Sequence, residues 1–229
     1  MKTTILHEVI NAGSDRQAVA LVTNLEDNTQ ALFFRHTLTG TTSLELAISD
    51  AFRRDQSRVV EVDGDRQFIQ VYNSPLRLLI VGAVHIAKPL VDMGQSCGYD
   101  VTLIDPRRAF ASETRFPGVN LSHEWPDQAM RNLGLDSRTA VVTLTHDPKL
   151  DEPALIEALE SEVFYVGALG SRKTHAERCD RLTQSGITSS QIDRIHAPVG
   201  LDIAAQSPAE IAVSIIAEIT HKLRKAQSQ

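Results

Sequence analysis

The sequence predicts an α/β protein: a Rossmann-like parallel sheet with helices on both faces, preceded by a small α+β N-terminal domain. The turn-forming cluster Asn73-Ser74-Pro75 separates two patterns. After it, continuous apolar segments alternate with segments of helical spacing, which is typical of parallel strands buried on both faces. Before it, short apolar runs flank the turn Asp63-Gly64-Asp65, which is typical of a hairpin. We therefore predict one domain at residues 1–74 and a second at residues 75–229.

The N-terminal domain is predicted to have the element order α-β-β-α-β-β. Apolar residues in the first thirteen positions indicate a short helix that ends at Gly13. The later elements follow from apolar runs separated by polar turns: strands at 18–22 and 31–34, a helix at 44–52, and a hairpin of strands 59–62 and 68–71. No pattern in this domain indicates chemistry.

The second domain is predicted to alternate strands and helices. The predicted strands cover residues 78–81, 101–104, 140–144 and 164–166, and the predicted helices cover 87–97, 125–133, 151–159 and 172–184. A last helix begins after Ser207, because Pro208 suits a first helical position and Glu210 completes a capping box. Its apolar positions are predicted to pack into the core.

Composition restricts the class of function. The 23 Lys and Arg residues against 29 Asp and Glu residues give a net charge of -6, which argues against a nucleic-acid-binding protein. The cysteines Cys97 and Cys179 are far apart, so we expect neither a disulfide framework nor a metal site. The sequence contains no apolar run of the ~20 residues that span a bilayer and no signal-peptide pattern. We expect a cytoplasmic protein without a membrane partner.

In a doubly wound sheet, ligands bind beyond the carboxyl ends of the strands. The first strand runs into Gly82-Ala83-Val84-His85-Ile86-Ala87, which keeps the first glycine and the last small residue of the G-x-G-x-x-G/A fingerprint but has Val84 in the middle. Gly82, Ala83 and the helix N-terminus are candidates for binding an anion. His85 either contacts the ligand or caps the helix.

Two further strand ends carry polar residues. The second strand ends at Asp105, 23 positions after Gly82, where a Rossmann domain binds ribose hydroxyls, and Arg107 beside it either binds phosphate or pairs with the acid. The third ends at Thr145-His146-Asp147. There, the His-Asp pair either transfers a proton or orients a ligand, or Asp147 merely caps the turn.

The fourth strand is followed by the residues most typical of a phosphate site. Gly167 and Gly170 offer main-chain N–H groups, Ser171 a hydroxyl, and Arg172 and Lys173 positive charge at a helix start. The alternative is an ordinary helix entry whose cations point to water. In the loop before the last helix, His196 and Asp202 are candidates to line the same crevice.

Several segments together closely resemble the C-terminal domain of the xanthine dehydrogenase accessory (XdhC/CoxI) family. They are LLIVGAVHIAKPL (78–90), VTLIDPR (101–107), VVTLTHDPKLDEPAL (141–155), FYVGALGSRKTHAERCDRL (164–182) and IHAPVGLDIAAQSPAEIAVSIIAEI (195–219). The resemblance implies a Rossmann domain and a chaperone that binds the phosphate-bearing molybdenum cofactor (molybdopterin), protects it and inserts it into a molybdenum hydroxylase apo-enzyme. It also implies a cysteine desulfurase as a second partner. A homodimer is left open.

The chain departs from this family in three places. The strand-one loop is GAVH where the family has GAGH, the later loop is GLDIAA where the family has GLDIGA, and the glycine-rich motifs of the usual N-terminal domain are missing. Two other function classes therefore stay open from sequence: an NAD(P)-dependent oxidoreductase, against which Val84 counts, and a nucleotide-sensing subunit, which Asp105 favours.

Overall fold

The computed structural model describes residues 3–228 and divides the chain into two compact units. Among the described residues, the first unit comprises residues 3–74 and 225–228, and the second unit is Pro75–Arg224. The predicted fold class is confirmed: a parallel six-stranded sheet with helices on both faces follows a small antiparallel sheet.

The first unit has the predicted element order. Helix α1 (Thr3–Ser14) precedes strands β1 (Val19–Asn24) and β2 (Gln30–Phe34), a 3-10 turn (Arg35–Thr37), helix α2 (Ser43–Arg54), and strands β3 (Arg58–Val62) and β4 (Asp65–Tyr72). The strands form an antiparallel sheet in the order β2-β1-β4-β3. Helix α2 starts with a capping box between Thr42 and Glu45. Its buried face, Ile48, Ala51 and Phe52, packs with sheet residues such as Ile69.

The second unit contains the Rossmann sheet. Its strands are β5 (Arg77–Val81), β6 (Asp100–Ile104), β7 (Asn120–Ser122), β8 (Thr139–Thr143), β9 (Tyr165–Ala168) and β10 (Ile195–His196). They are parallel and lie in the order β10-β9-β8-β5-β6-β7. Starting from β5, the chain builds the sheet first in one direction and then in the other. The order therefore reverses between β5 and β8, where a doubly wound sheet opens its ligand crevice.

Helices cover both faces of this sheet. They are α3 (Ala87–Ser96), α4 (Pro126–Leu133), α5 (Pro148–Leu159), α6 (Arg172–Gln184), α7 (Ser189–Ile192) and α8 (Pro208–Ser228). The sheet has an apolar layer on each face. Alternate residues of β5 pack in different layers, since successive side chains of a strand point to opposite faces. Leu78 and Ile80 pack in the layer that contains residues of α3 and α8. Leu79 and Val81 pack in the layer that contains residues of α4, α5 and α6.

The structure differs from the sequence prediction at several boundaries. Strands β7 and β10 and helix α7 were not predicted, because each has four residues or fewer and shows little periodicity. Helix α5 begins at Pro148 instead of residue 151, since Asp147 caps it. Strand β9 continues to Ala168, two residues beyond the predicted end. The apolar face of α8 is core, as predicted: Ile215 and Ile219 are fully buried.

Candidate ligand-binding site at the carboxyl edge of the sheet

The loops after β5 and β8 meet where the strand order reverses. Gly82 follows β5 and has a φ of 106°, a conformation that side-chain-bearing residues rarely adopt. A Cβ built on Gly82 would lie 2.4 Å from Cγ2 of Thr145, the second residue after β8. Thr145 therefore fills the space that any larger residue at position 82 would need, and the two loops are in direct contact.

The turn after β5 keeps donors free for an anion. The Gly82 N–H donates to the Ile104 carbonyl (2.9 Å), and the Ala83 N–H donates to Oδ2 of Asp105 (2.8 Å). The next main-chain N–H groups, from Val84 to Ile86, have no acceptor among residues 3–228. His85 is exposed and does not cap α3, whose N-cap position is Ile86. Free amides at a helix start bind anions, so the turn retains this capacity despite Val84.

Asp105 is fully buried and bonded to protein on both carboxylate oxygens. Besides the Ala83 N–H, it accepts hydrogen bonds from the main-chain N–H of Arg107 (2.9 Å), from its Nε (2.9 Å) and from its Nη2 (2.8 Å). Burial raises the pKa of Asp105, but the bonds from Arg107 and Ala83 outweigh it, so the pKa lies below its ordinary value. Asp105 thus joins the β5 and β6 loops and orients Arg107, and its carboxylate does not face open space.

The loop after β8 is closed on itself by Asp151, a residue that sequence reasoning missed. This carboxylate, only 1% exposed, accepts hydrogen bonds from the Thr145 hydroxyl (2.7 Å), the Thr145 N–H (3.2 Å) and the His146 N–H (3.1 Å). Asp147 caps α5 by accepting from the Lys149 N–H (3.0 Å), and its own N–H donates to the Thr145 hydroxyl. The loop amides are therefore used internally, and only side chains remain for a ligand. His146 is exposed and adopts a φ of 61°.

The loop after β9 is open. Ser171 caps α6 by accepting from the Thr174 N–H (3.2 Å), and Gly170 has a φ of 139°. The four consecutive N–H groups of residues 170–173 donate to no acceptor within the described range. Arg172 and Lys173 are exposed, and neither forms an ion pair with any residue from 3 to 228. This segment combines amide donors, the helix dipole and two unpaired cations.

Gly167 was expected in this loop, and that expectation was wrong. It lies inside β9, paired in register with Val142 and His196. A Cβ at Gly167 would come within 2.6 Å of Val199 Cγ2 and 2.8 Å of Tyr165 Cε1. The glycine is required there by packing, since no side chain fits between these neighbours.

A second residue missed from sequence lies under the open loop. Arg178 of α6 is 3% exposed and donates from Nη2 to the Leu169 carbonyl (2.9 Å), while its Nη1 is buried without a hydrogen-bond partner in the described part of the chain. Burial lowers the pKa of this guanidinium, and the charge of Asp151 opposes that shift. Arg107 also interacts electrostatically with Asp151 and Asp147. The loops after β6, β8 and β9 are thus linked by charge.

The remaining predicted residues do not join this cluster. His196 binds Glu218 through Nδ1 (3.0 Å) and stacks on Tyr165, with 4.7 Å between ring centroids. Asp202 lies in an exposed segment beside Leu201 and Ile203. No contact joins His196 to Asp202 among the residues described, so the structure does not bring this pair together.

Two absences hold for residues 3–228. No group of three or more His, Cys, Asp or Glu side chains in that range is arranged to hold a metal ion. None of the helices there combines the length and apolar character of a bilayer-spanning segment.

Comparison with known proteins identifies the second unit. A family model described as the XdhC Rossmann domain matches residues 78–219. A Bacillus subtilis protein, named as a probable xanthine dehydrogenase subunit, is 32% identical over 153 residues, which are 66% of this chain and 44% of the relative. The molybdenum cofactor insertion chaperone PaoD of Escherichia coli is 31% identical over 144 residues, 63% of this chain and 39% of the relative. The uncharacterized protein YqeB of Escherichia coli is 31% identical over 154 residues, 66% of this chain and 28% of the relative.

A solved structure shares the fold of both units. The crystal structure of a xanthine dehydrogenase from Bacillus halodurans covers 97% of this chain with a TM-score of 0.66 and 24% identity, and the chain covers 64% of that structure. The chain spans less than half the length of the three curated relatives it matches. The family model covers more than half of the chain, over the same strands and loops that form the site. The chain belongs to the XdhC family and carries that family's Rossmann domain.

Proposed function

We propose that the protein is a maturation factor that binds the molybdenum cofactor and delivers it to a molybdenum hydroxylase of the xanthine dehydrogenase type. One relative is named a molybdenum cofactor insertion chaperone and another a probable xanthine dehydrogenase subunit. Those names describe the relatives. Their similarity to this chain over about two thirds of its length supports the same role here. The expected partners are a hydroxylase apo-enzyme and a cysteine desulfurase, and a homodimer is the assembly to be tested.

The observation that carries this proposal is the open loop after β9. Molybdopterin bears a phosphate, which carries a charge of about −1.5 to −2 near neutral pH and three acceptor oxygens. The loop offers the side chains of Arg172 and Lys173 and four N–H groups, at residues 170–173, that have no acceptor within residues 3–228. Beneath them lies the buried Arg178, one guanidinium nitrogen of which has no partner in the same range. Donor number and charge therefore fit a phosphate.

The other strand ends would hold the rest of the cofactor. The turn Gly82-Ala83 and the exposed His85 stand at the neighbouring switch point, and Thr145, His146 and Asp147 border it from β8. We assign Asp105 a positioning role, since its carboxylate is engaged by Ala83 and Arg107. Asp202, which is exposed, is a further candidate for contact with the cofactor. When bound, the molybdenum cofactor supplies redox chemistry to the hydroxylase, and the residues of this chain hold and shield it.

The geometry gives less support to an NAD(P)-dependent oxidoreductase. The acid that would bind the ribose hydroxyls, Asp105, is 0% exposed and already accepts four hydrogen bonds from protein groups. The missing second glycine of the fingerprint, at Val84, also restricts approach of a pyrophosphate. A nucleotide-sensing role for this acid meets the same difficulty.

The test is purification of the full chain from a host that makes the molybdenum cofactor. We expect molybdenum and oxidised pterin to copurify in equal amounts, and molybdopterin to raise the melting temperature when added to cofactor-free protein. NAD and NADP, titrated under the same conditions, are expected to leave the melting temperature unchanged. Stabilisation by a nicotinamide cofactor without any bound molybdenum or pterin would contradict the proposal and favour the oxidoreductase.

A further inference from the structure

The first unit contains a pocket that the proposed function does not use. It has a volume of about 450 Å³ and lies between the 3-10 turn Arg35–Thr37 and helix α2. Its lining residues are Arg35, Leu38, Leu46, Ser49, Asp50 and Arg53. Pockets that bind small molecules have volumes of roughly 300–1,000 Å³. All six residues belong to one compact unit, so the pocket is a feature of that unit alone.

The pocket is positively charged although the chain as a whole carries a net charge of -6. Asp50 pairs with Arg53, with Arg54 (3.0 Å) and with Arg58. Burial raises the pKa of Asp50, but the opposite effect of its three guanidinium partners is larger and brings the pKa to about 2. The carboxylate is therefore ionised at neutral pH. One negative charge is thus shared among three arginines, and the cluster keeps an excess of positive charge.

Arg35 adds a further cation on the pocket wall. Its side chain is exposed and has no acidic partner within residues 3–228. Arg53, by contrast, also donates to the Gln227 carbonyl (2.9 Å). Arg35 is therefore the guanidinium that is free to bind a new acceptor. Arginine presents its N–H groups as a planar fork that matches the oxygens of phosphates and carboxylates.

Another part of the wall is apolar. Leu46 is 58% exposed although it belongs to α2, and Leu38 is half-buried beside the same pocket. Ser49 contributes a hydroxyl to the lining. A ligand that matches this lining has an anionic group for Arg35 and a small apolar body that covers the leucines, because burial of that surface then adds to the charge interaction.

We propose that this pocket binds a small organic anion, a phosphate monoester or a carboxylate attached to an apolar group. The site belongs to the first unit and shares no residue with the strand-end site of the Rossmann domain. It also gives a role to a domain in which the sequence indicates no chemistry.

The test is a calorimetric titration, at fixed ionic strength, with phenyl phosphate, benzoate and inorganic phosphate. The full-length variant Arg172→Gln/Lys173→Gln is used as the parent protein, so that the proposed phosphate site of the Rossmann domain contributes little. We expect saturable binding of phenyl phosphate or benzoate, and the tighter of the two identifies the anion class. Inorganic phosphate, which lacks the apolar body, is expected to bind at least about fivefold more weakly than the tighter organic probe. Arg35→Gln is expected to weaken that probe about tenfold, which is typical for one charge-assisted hydrogen bond.

Two further variants make the experiment specific. Arg66→Gln removes an exposed arginine of β4 that forms no ion pair within residues 3–228 and does not line the pocket, and it is expected to leave affinity unchanged. Leu46→Ser is expected to reduce the advantage of the organic probe over inorganic phosphate, with little effect on the fold because Leu46 is exposed. The proposal is overturned if no organic probe saturates below about 10 mM, or if Arg35→Gln and Arg66→Gln weaken binding equally. It is also overturned if inorganic phosphate binds as tightly as the organic probes.

Discussion

The methyl group of Thr145 lies where a side chain on Gly82 would lie, at the point where the strand order of the Rossmann sheet reverses. The Cα of Gly82 faces the Thr145 methyl so closely that a Cβ placed on the glycine would lie 2.4 Å from Cγ2, and the φ of Gly82 is 106°. The Thr145 hydroxyl points to the buried Asp151 (2.7 Å). One threonine therefore uses its methyl group to pack on the first loop and its hydroxyl to close the second.

We expect Gly82→Ala to destabilise the Rossmann domain by roughly 2–4 kcal/mol, because backbone strain and a steric clash add. Gly98→Ala is the matched control: its φ is 84°, but no atom lies within 4 Å of the added Cβ, so only the strain is present. Thermal melting of both variants separates the two contributions. The double variant Gly82→Ala/Thr145→Ser, which lacks the clashing methyl, should recover part of the loss. A Gly82→Ala protein as stable as Gly98→Ala would contradict the clash.

Asp151→Asn should destabilise the same domain by about 2 kcal/mol. The carboxylate accepts from three donors, and an asparagine oxygen cannot satisfy all of them while its NH₂ group adds a donor. Asp180→Asn, an exposed change on α6, is the control and should remain within about 0.5 kcal/mol of the parent. Urea unfolding measures both. Equal stability of the two variants would show that the loop after β8 does not depend on Asp151.

The pH dependence of the Asp151 contribution has an unusual sign for a carboxylate. Burial raises its pKa despite the bonds from Thr145. Because the pKa is raised, folding favours the protonated form of Asp151. The stabilisation from Asp151 is therefore fully present below the ordinary pKa of 3.8, and it is lost as pH rises through the pKa of the folded state. The pH dependence of the Asp105 contribution has the opposite sign. Its pKa is lowered, so the stabilisation from Asp105 is lost as pH falls.

Local patterns were sufficient to predict the longer helices and strands and the loops that follow the strands. The start of α6 near Arg172, the turn at Gly82 and the capping box before α8 each depend on residues close in sequence. Residues that act through tertiary contacts were missed. Asp151 and Arg178 stand inside helices, where one sequence shows only a polar residue, and their roles appear once the strand-end loops are brought together.

Gly167 is a residue whose role was predicted from its sequence neighbours but is determined by tertiary packing. Its neighbours in sequence suggest a glycine-rich loop, but Val199 and Tyr165 fill the space where its side chain would lie. Val199 is 32 positions away in the sequence, and no local pattern reports such an approach. The short strands β7 and β10 were missed for a related reason: they exist because an existing sheet edge supplies their hydrogen bonds.

Removal of the two free cations after β9 tests the proposed phosphate site. We expect Arg172→Gln/Lys173→Gln to lower the molybdenum and pterin that copurify with the chain about tenfold, since two charge-assisted contacts are lost. The melting temperature of the cofactor-free protein should be unchanged, because both side chains are exposed and unpaired among residues 3–228. Lys222→Gln on α8, beside residues at the start of β9 rather than its end, is the matched control. Unchanged occupancy in the double variant would remove residues 170–173 from the proposed site.

Glu218→Gln should reveal a carboxylate that supports the fold in a defined pH range. Glu218 accepts from the Tyr165 hydroxyl (2.5 Å), the Gly200 N–H (2.8 Å) and His196 Nδ1 (3.0 Å). Burial raises its pKa, but these bonds lower it below the ordinary value of 4.5. The ionised form therefore stabilises the folded state above about pH 4.5, and this contribution is lost as pH falls through the lower folded pKa.

The difference in melting temperature between the parent chain and Glu218→Gln should accordingly be largest at neutral pH and shrink as pH falls below the ordinary pKa of 4.5. Subtracting one melting temperature from the other removes the effect of the other carboxylates, because these titrate in both proteins. Glu162→Gln, an exposed change before β9, should give a small difference at every pH. A Glu218→Gln difference that does not shrink as pH falls below 4.5 would mean that the three hydrogen bonds do not hold this carboxylate in its ionised form.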